Sequence, residues 1–363
     1  MNRVLVTGAD GYLGSRIVAS CLADHRDVIA WIHARNPVEL EHRSHALKEC
    51  LGGDLECAGG DLLDPDAFST IDPLGISAIV HAAAVTRFDV DRRAARRVNV
   101  AGTSAAAALA QRCPRLERFV FLGSAFAAGL LEGSIEEGPL APDGFANNYE
   151  WSKWKSEQVL QEDHAELPWT VLRAATVIAD DESGACGQLN VVHDTLRLLY
   201  QGLLSVIPGE PSVPVCLVTA DMVAQAAVRL LEGPFVGRFV NACAPVESCP
   251  TLDTLLTVAM DSFQACPEFR RRRIQRPPFC RRDAFELLVQ GLRRHGGSLS
   301  EQVAGSLAPF APQLFLRKQF IARRVSMLTG RAFPDMAALL SRLCERMLAT
   351  GACGTRAGVR TIG

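Results

Sequence analysis

The stretch VLVTGADGYLGS, residues 4–15, decides the fold class of this 363-residue chain. Its first three residues are an apolar run with no polar face, which is typical of a parallel strand buried on both sides. Gly8, Gly11 and Gly14 follow at once, and the apolar spacing after them indicates a helix. Glycine lets the backbone approach a pyrophosphate, and the helix N-terminus offers it unpaired N–H groups. The stretch therefore predicts a strand, a phosphate-binding loop and a helix.

Short apolar runs and helical stretches alternate along the first two thirds of the chain. The other runs that predict strands are 27–32, 78–81, 118–122, 170–173, 215–218 and 238–241. This alternation predicts an α/β fold, a Rossmann-type doubly wound parallel sheet with helices on both faces. We expect this domain to span residues 1–245, with an insertion at about 181–212. From about Cys249 onward only helical patterns occur, so residues 246–363 are expected to form a smaller, mainly helical region.

The composition excludes several classes of protein. Hydrophobic residues make up 48% and charged residues 21%, as in ordinary globular proteins, and a net charge of −2 gives no case for nucleic acid. The twelve cysteines contain no C-x-x-C pair and the histidines no ligand spacing, so no metal site is predicted. There is no signal sequence and no apolar run of about 18 residues. We therefore expect a soluble, cytoplasmic protein without a transmembrane segment.

Three further markers of a dinucleotide site follow the glycine loop in order. Asp61 lies where an adenine amino group could be bonded, and Asn99 begins an alanine-rich helix. Between them, Ala82, Ala83 and Ala84 end a strand with small side chains that leave room for a flat ribose–nicotinamide half. Together with the glycine loop, these residues resemble the extended short-chain dehydrogenase/reductase family.

The residues after the second predicted strand indicate which dinucleotide is bound. An acidic residue there would hold the 2′-hydroxyl of NAD, whereas arginine suits the 2′-phosphate of NADP. This segment has Arg35 and no carboxylate within reach, and Arg16 could be a second phosphate partner. The alternative is that both arginines are merely solvated. We expect NADP, with NADPH as the reducing form.

Tyr149 and Lys153 form the pattern Y-x-x-x-K, and Ser124 follows the predicted strand 118–122. Residues four apart share a helix face, so the Lys153 ammonium can lie near the Tyr149 phenol. A nearby cation favours the phenolate, so we expect the Tyr149 pKa to be lowered toward the range useful for acid–base catalysis. The resemblance makes Ser124, Tyr149 and Lys153 the catalytic triad, with Ser124 on the substrate oxygen and Lys153 also on the nicotinamide ribose.

The full set of predicted cofactor-binding residues includes two members of the triad. These residues are Thr7, Gly8, Gly11, Tyr12, Leu13, Gly14, Arg16, Arg35, Asp61, Leu62, Ala82, Ala83, Ala84, Asn99, Tyr149, Lys153 and Val177.

Several stretches resemble the branch of this family that contains fatty acyl-CoA reductases and the terminal thioester reductase domains of carrier-protein synthases. They are HAAAVTRFD at 81–89, NVAGT at 99–103, SAFAAG at 124–129, IEE at 135–137, NNY at 147–149 and ADDESG at 179–184. The resemblance covers residues 1–245 and implies an NADPH-dependent reductase of an acyl thioester, bound to CoA or to an acyl-carrier protein, that yields an aldehyde or an alcohol. It also implies that residues 246–363 bind the substrate. Gly123, Phe126 and Ala174 depart from the branch, which usually has serine, tyrosine and proline there.

Other interpretations remain open at this point. The same triad suits a ketone or secondary-alcohol oxidoreductase of the hydroxysteroid or dihydroflavonol type. A non-catalytic NADP-binding sensor or scaffold would instead be expected to have lost Tyr149 or Lys153. The arginine cluster at 270–273, with Arg276, Arg281 and Arg282, is either a solvated loop or a contact for phosphopantetheine, an acidic carrier protein or anionic lipid. An oligomer is also compatible with the sequence.

Two local features of the sequence each allow two interpretations. Asn147 either shapes the site or caps the helix of Tyr149. The stretch 314–328 is expected to be an amphipathic helix that packs on the domain or lies on a membrane surface.

Overall fold

The computed structural model describes residues 3–52, 55–295 and 308–353. The strands are β1 (Arg3–Thr7), β2 (Asp27–His33), β3 (Glu56–Gly60), β4 (Ile76–His81), β5 (Arg118–Ser124), β6 (Gly133–Ile135), β7 (Trp169–Ala174), β8 (Thr176–Ala179), β9 (Ile207–Pro208), β10 (Leu217–Thr219), β11 (Arg238–Ala242), β12 (Phe279–Cys280) and β13 (Lys318–Phe320). The α-helices are α1 (Tyr12–Ala23), α2 (Pro37–Leu51), α3 (Arg92–Ala94), α4 (Gly102–Gln111), α5 (Asn148–Glu162), α6 (Val191–Gln201), α7 (Ala220–Arg229), α8 (Leu252–Gln264), α9 (Pro267–Arg272), α10 (Arg282–His295), α11 (Arg324–Thr329) and α12 (Met336–Ala349). A π-helical turn, Ala95–Ala101, joins α3 to α4.

The central sheet contains seven strands of the described chain in the order β11-β7-β5-β4-β1-β2-β3. All neighbouring strands in it run parallel. The strand order reverses between β1 and β4, and ligands of such sheets bind at the carboxyl ends of the strands at this reversal. The predicted Rossmann-type doubly wound sheet is confirmed.

Alternate residues of each central strand face opposite layers of helices. Val4 and Val6 of β1 pack in one hydrophobic cluster with α1 and α7. Leu5, between them, packs in another cluster with α4 and α5. All three side chains are fully buried, which is why the strand has no polar face.

Some strands differ from the sequence expectation. Strand β3, whose sequence is ECAGG, has no aliphatic run and forms by pairing with β2. The strand predicted at 215–218 begins only at Leu217, because Val215 instead donates its N–H to the Pro250 carbonyl at 2.9 Å.

The C-terminal region packs on the sheet domain and contains short strands as well as helices. Strand β13 pairs with β6, and β12 pairs with β9. The single helix expected over 314–328 is wrong, because this stretch comprises the end of a 3₁₀ turn, β13 and the first part of α11. Lys318 and Phe320 are buried while Gln319 is exposed, which is the period of a strand. In the described residues, no helix is long and apolar enough to cross a membrane.

Candidate active site

The glycine loop lies between the carboxyl end of β1 and the start of α1. Gly8 has a φ of +64°, and a Cβ there would lie 2.7 Å from the Cα of Ala83. A Cβ on Gly14 would lie 1.9 Å from the carbonyl oxygen of Gly8, so α1 approaches the loop too closely for any side chain. The result is a cradle of bare backbone at a helix N-terminus, which fits the pyrophosphate of a dinucleotide.

Thr7 ties this loop to the segment after β4. Its hydroxyl accepts a hydrogen bond from the Ala83 N–H at 3.2 Å and lies 2.8 Å from Nδ1 of His81. Burial, and then the charge of Lys153, lowers the pKa of His81 to about 3, so this imidazole is neutral. His81 therefore supports the strand end. In the described part of the chain, no group of three or more His, Cys, Asp or Glu residues could hold a metal ion.

The segment after β2 carries carboxylates as well as arginines. Arg35 is exposed, and its backbone N–H donates to Glu39 at 2.9 Å. Nε of Arg43 donates to the Asp10 carboxylate of the glycine loop at 2.6 Å. The expectation of no carboxylate within reach is wrong, because α2 brings Glu39 back to the strand end. Sequence reasoning missed Arg43, whose signal is its i,i+4 spacing from Glu39 on α2.

Arg16 and Tyr12 both contact Asp180 in the loop after β8. Nη2 of Arg16 lies 2.6 Å from Oδ1 of Asp180, and the Tyr12 hydroxyl donates to the same oxygen at 2.7 Å. The N–H of Gly187 donates to it as well, at 3.0 Å. Burial and the hydrogen bond to Asp180 raise the pKa of Tyr12, which stays protonated. Arg16, which was predicted to contact a phosphate, is thus paired with the carboxylate of Asp180, a residue to which the sequence assigned no role.

The remaining predicted cofactor residues lie at the same edge of the sheet or beside it. Asp61 and Leu62 directly follow β3, and Asp61 accepts from the Leu63 N–H at 2.9 Å. Leu13 is in the first turn of α1, and Val177 in β8 accepts from the Asn190 side chain at 2.6 Å.

Asn99 is buried in the π-helical turn. Its Nδ2 donates to the Val85 carbonyl at 2.9 Å and to the Ser152 hydroxyl at 2.8 Å, and its Oδ1 accepts from the Val85 N–H at 2.8 Å. The Ser152 hydroxyl in turn donates to the Tyr149 carbonyl at 2.8 Å. Asn99 therefore fixes the loop after β4 against the helix of Tyr149. A π-helical turn is frequent at functional sites.

Strand β5 and helix α5 bring the three predicted catalytic residues together. Ser124 is the last residue of β5, and its hydroxyl lies near enough to the phenol of Tyr149, in the first turn of α5, to lower the pKa of that phenol. Lys153 lies one turn further along α5, where its Nζ donates to the Leu122 carbonyl at 2.9 Å. All three side chains are buried. Asn147 is the N-cap of α5 and accepts from the Glu150 N–H at 3.0 Å.

The pKa of Tyr149 differs from the sequence expectation. Burial raises it to about 12, although the hydrogen bond to Ser124 opposes the shift. Burial also lowers the pKa of Lys153 to about 8, against the favourable charge of Glu157. The expected lowering of the Tyr149 pKa is therefore wrong here, because burial is the largest cause and raises it. The Tyr149 phenol is protonated at neutral pH and able to donate a proton.

Three phenylalanine rings form an apolar wall beside Tyr149, and one of them, Phe88, contacts its ring. The ring of Phe88 meets that of Tyr149 edge-on, with centroids 5.5 Å apart. Phe126 and Phe310 lie 5.1 Å and 5.6 Å from Phe88. Phe310 comes from the C-terminal region, which therefore reaches the candidate site.

With this geometry established, the comparisons with known proteins identify the family. The profile of the NAD-binding family described as male sterility protein matches residues 6–227. The chain belongs to the male sterility protein family. This confirms the resemblance to the extended short-chain dehydrogenase/reductases and their thioester and acyl-CoA reductase branch. The match gives the chain the NAD(P)-binding Rossmann domain of a family that contains oxidoreductases.

Three curated proteins are similar in sequence to part of this chain. The PKS-NRPS hybrid synthetase cheA of Chaetomium globosum is 32% identical to this chain, and the match covers 50% of this chain and 4% of the synthetase. The fatty acyl-CoA reductase wat of Drosophila melanogaster is 24% identical over 42% of this chain and 35% of the relative. Sterol demethylase protein B of Methylococcus capsulatus is 31% identical over 63% of this chain and 69% of the relative.

The fold of this chain is similar to that of a solved structure. The terminal R domain from the myxalamid PKS-NRPS biosynthetic pathway has a TM-score of 0.76 at 19% sequence identity. The match covers 97% of this chain and 92% of that domain. At this identity the likeness shows the fold alone.

A buried ion pair lies beside Gly123, one of the positions that differ from the branch. Arg173 at the end of β7 donates two hydrogen bonds to Glu157 of α5, at 2.9 and 2.7 Å, and both side chains are fully buried. A Cβ on Gly123 would lie 3.0 Å from the Val171 side chain and 3.4 Å from the Glu157 carboxylate. A side chain at 123 would therefore press first on Val171, while the ion pair lies at ordinary contact distance.

The arginine cluster of this family member is exposed and partly paired. Arg272 donates to the Tyr200 carbonyl, and Arg276 pairs with Asp253 at 2.6 Å. Both arginines line a cavity of about 450 Å³ that also includes Gln201. The lining of this cavity does not include the three catalytic candidates.

Proposed function

We propose that this chain is an NADPH-dependent reductase of acyl thioesters in which Ser124, Tyr149 and Lys153 carry out the chemistry. One observation carries the proposal: the three side chains meet at the carboxyl end of β5, on the same edge of the sheet as the bare glycine cradle. The synthetase and the acyl-CoA reductase among the relatives favour a thioester over other carbonyl compounds.

The residues present fit a dinucleotide. The backbone of the glycine loop would hold the pyrophosphate, and Ala82, Ala83 and Lys153 would face the nicotinamide half. Arg35 and Arg43 would meet a 2′-phosphate at the end of β2, and the Glu39 carboxylate there is already held by the Arg35 N–H and by Arg43. For this reason we propose NADPH. When bound, the reduced cofactor supplies hydride to the substrate carbonyl carbon.

The roles of the side chains follow from their protonation. The Ser124 hydroxyl and the Tyr149 phenol would both donate hydrogen bonds to the carbonyl oxygen, and the protonated phenol would transfer its proton as negative charge develops there. The Lys153 ammonium would stabilise that charge. The apolar wall of Phe88, Phe126 and Phe310 would exclude water from the reacting carbonyl. The tetrahedral hemithioacetal would then collapse and release the thiol.

We propose that the substrate is an acyl-CoA or an acyl group on an acyl-carrier protein in the cytoplasm. The exposed arginines at 270–273 would attract the phosphates of CoA or the acidic surface of a carrier protein.

Product analysis tests the proposal. The protein is incubated with NADPH and a series of acyl-CoAs, NADPH is followed by absorbance, and free CoA and aldehyde are measured by chromatography. We expect one CoA released for each aldehyde formed, and no product with Tyr149→Phe. NADPH consumption without release of CoA for every acyl-CoA tested would contradict a thioester substrate.

A ketone or secondary-alcohol oxidoreductase is the second candidate. The similarity to sterol demethylase protein B, which this chain covers over 69% of its length, favours it, and the apolar wall suits a sterol-like ring system. The same assay with keto- and hydroxysteroids distinguishes the candidates, because this reaction releases no thiol.

A further inference from the structure

A buried carboxylate lies next to Tyr149 and is not used in the proposed chemistry. Glu150 is fully buried. One of its oxygens accepts from the Ala146 N–H at 2.9 Å. The other accepts from Asn147 at 3.1 Å and from Nε2 of Gln313 at 2.8 Å. Glu150 thus joins the start of helix α5 to the C-terminal region.

The network continues to the segment that carries Ser124. Nε2 of Gln313 also donates to the Gly129 carbonyl at 3.2 Å. Nζ of Lys318 donates to the same carbonyl and, at 2.5 Å, to Oε1 of Gln313. Gly129 ends the 3₁₀ turn Ala125–Ala128, which begins directly after Ser124. Gln313 and Lys318 therefore hold together the two segments on which Ser124 and Tyr149 stand.

The network is charged and nearly closed to water. Gln313 and Lys318 are 8% and 7% exposed. Burial raises the pKa of Glu150 and lowers that of Lys318, and each of the two charges opposes the shift of the other. A buried polar network in which every group is hydrogen bonded favours a single arrangement of its side chains. Removal of one side chain leaves the remaining buried groups without hydrogen-bond partners.

We propose that Glu150 is a positioning residue that, through Gln313 and Lys318, holds the Tyr149 phenol within hydrogen-bonding distance of Ser124. This inference rests on the proposed function of Ser124 and Tyr149. Glu150 itself does not touch the reacting atoms. Its removal should affect the chemical step and leave the glycine cradle unchanged.

The test compares Glu150→Ala, Glu150→Gln and Gln313→Ala with Glu162→Ala, an exposed glutamate at the end of the same helix. We expect Glu150→Ala and Gln313→Ala to lower kcat about 10- to 100-fold, since small displacements of reacting groups cost this much. The Kd for NADPH, measured by fluorescence, should stay within twofold of the parent. Glu150→Gln keeps one acceptor oxygen and should restore most of kcat. If Glu150→Ala does not fold, Gln313→Ala gives the same comparison outside the helix.

A kcat for Gln313→Ala equal to that of Glu162→Ala would overturn the positioning role. So would a parallel loss of kcat and NADPH affinity in every network variant, because that indicates general loss of structure. Tyr149→Phe is assayed on the same substrate in parallel. Full activity of that variant refutes the proposed function itself, whereas an inactive Tyr149→Phe beside fully active network variants refutes only the positioning role.

A second inference rests on a different observation, a cluster of three thiols. Sγ of Cys249 lies 3.7 Å from Sγ of Cys216, and the Cys243 thiol is near enough to lower the pKa of Cys216. The segments 213–216 and 249–252 run side by side in opposite directions, joined by hydrogen bonds between their backbones. Cys216 and Cys249 therefore face each other across this pair, which is the placement that a disulfide requires.

The surroundings of Cys216 favour its reactive form. The neighbouring thiols of Cys243 and Cys249 are the main causes that lower the pKa of Cys216, and the Phe320 N–H and the charge of Lys318 act in the same direction; together they outweigh burial, which raises this pKa. The thiolate is the form that attacks an electrophile. Both Cys216 and Cys249 are partly exposed, so a small oxidant can reach them.

We infer that Cys216 and Cys249 are a site of reversible oxidation by hydroperoxides. The Cys216 sulfur attacks the peroxide oxygen and is oxidised to a sulfenic acid, while hydrogen peroxide is reduced to water. The Cys249 thiol then attacks the sulfenic sulfur, the S–S bond forms and a second water leaves. Two thiols and one peroxide thus give one disulfide and two waters.

Hydrogen peroxide treatment followed by mass spectrometry of unreduced peptides tests this inference. We expect a cross-link between the peptides of Cys216 and Cys249, two hydrogens lighter than their sum and reversed by a thiol reductant. In Cys249→Ser, a sulfenic acid at Cys216 should be trapped by dimedone, while Cys50→Ser, at an exposed thiol, should behave as the parent. A link between Cys216 and Cys243, or oxidation of Cys50 with Cys216 still a thiol, would overturn it.

Discussion

Lys153 gives the candidate site a pH dependence of its own. Burial lowers its pKa to about 8, below the value of about 10.4 for an unperturbed lysine. Burial raises the pKa of Tyr149 to about 12, so the phenol stays protonated over the range in which enzymes are assayed. Within the triad, Lys153 is therefore the group that changes charge between pH 7 and pH 10.

The size of the effect follows from that pKa. If the ammonium form is required, kcat/KM for reduction is near its maximum at pH 7 and falls about tenfold for each pH unit above 8. Lys153→Arg keeps a positive charge at every accessible pH and should lose this alkaline decline, whereas Lys153→Met should be slow throughout. Lys155→Arg, at a half-buried position on the same helix, should retain the decline.

Initial rates of NADPH oxidation between pH 6 and pH 10 measure these profiles. An alkaline decline that persists in Lys153→Arg, or that begins only near pH 10, would refute the reasoning. Stability gives an independent check. Because the folded pKa is the lower one, the unfolded chain binds more protons between about pH 8 and 10.4, and stability rises with pH in that window. The parent should gain stability there relative to Lys153→Met in urea unfolding.

Four further substitutions test other parts of the site. Tyr149→Phe keeps the ring but removes the proton donor, so turnover should fall about 10²–10⁴-fold with NADPH binding unchanged, and activity within threefold of the parent would exclude the role. Arg35→Asp should shift the ratio of kcat/KM from NADPH toward NADH, and an unaltered ratio would show that Arg35 is not the selector. Glu157→Ala leaves the buried Arg173 charge without its partner and should lower the free energy of unfolding, measured in urea, by about 3–5 kcal/mol. A decrease below about 1 kcal/mol would contradict an ion pair shielded from water. Neutralising the arginines at 270–273 should raise KM for a carrier-borne substrate, most strongly at low salt, and equal KM values at low salt would leave the cluster a solvated surface.

The parts of the fold that could be predicted from the sequence depend on neighbouring residues. The apolar run and glycine loop at residues 4–15 form a strand, a turn and a helix in sequence order. Tyr149 and Lys153 share a face because of helical periodicity alone. Strand β3 could not be found in this way, since its glycines and cysteine have no strand pattern and depend on the edge of β2.

The parts that could not be predicted depend on contacts between distant segments. Arg16 meets Asp180 because the loop after β8 folds back over α1. The Tyr149 pKa rises because Phe88 and other distant residues bury the ring, and the spacing to Lys153 contains no information about burial. Strand β13 exists because it pairs with β6, so its three residues carry no local signal strong enough to predict it.

The segment that contains β13 is synthesised after all the strands of the central sheet, and this bears on the order in which the site can fold. The last strand of the central sheet ends at Ala242, so a nascent chain has all seven of those strands, and the whole glycine loop, before its C-terminal third leaves the ribosome. The segment that contacts Phe88, Glu150 and Gly129 is synthesised only after that. The half of the site that fits a dinucleotide can thus fold first, and the residues that complete the surroundings of Tyr149 are added after it.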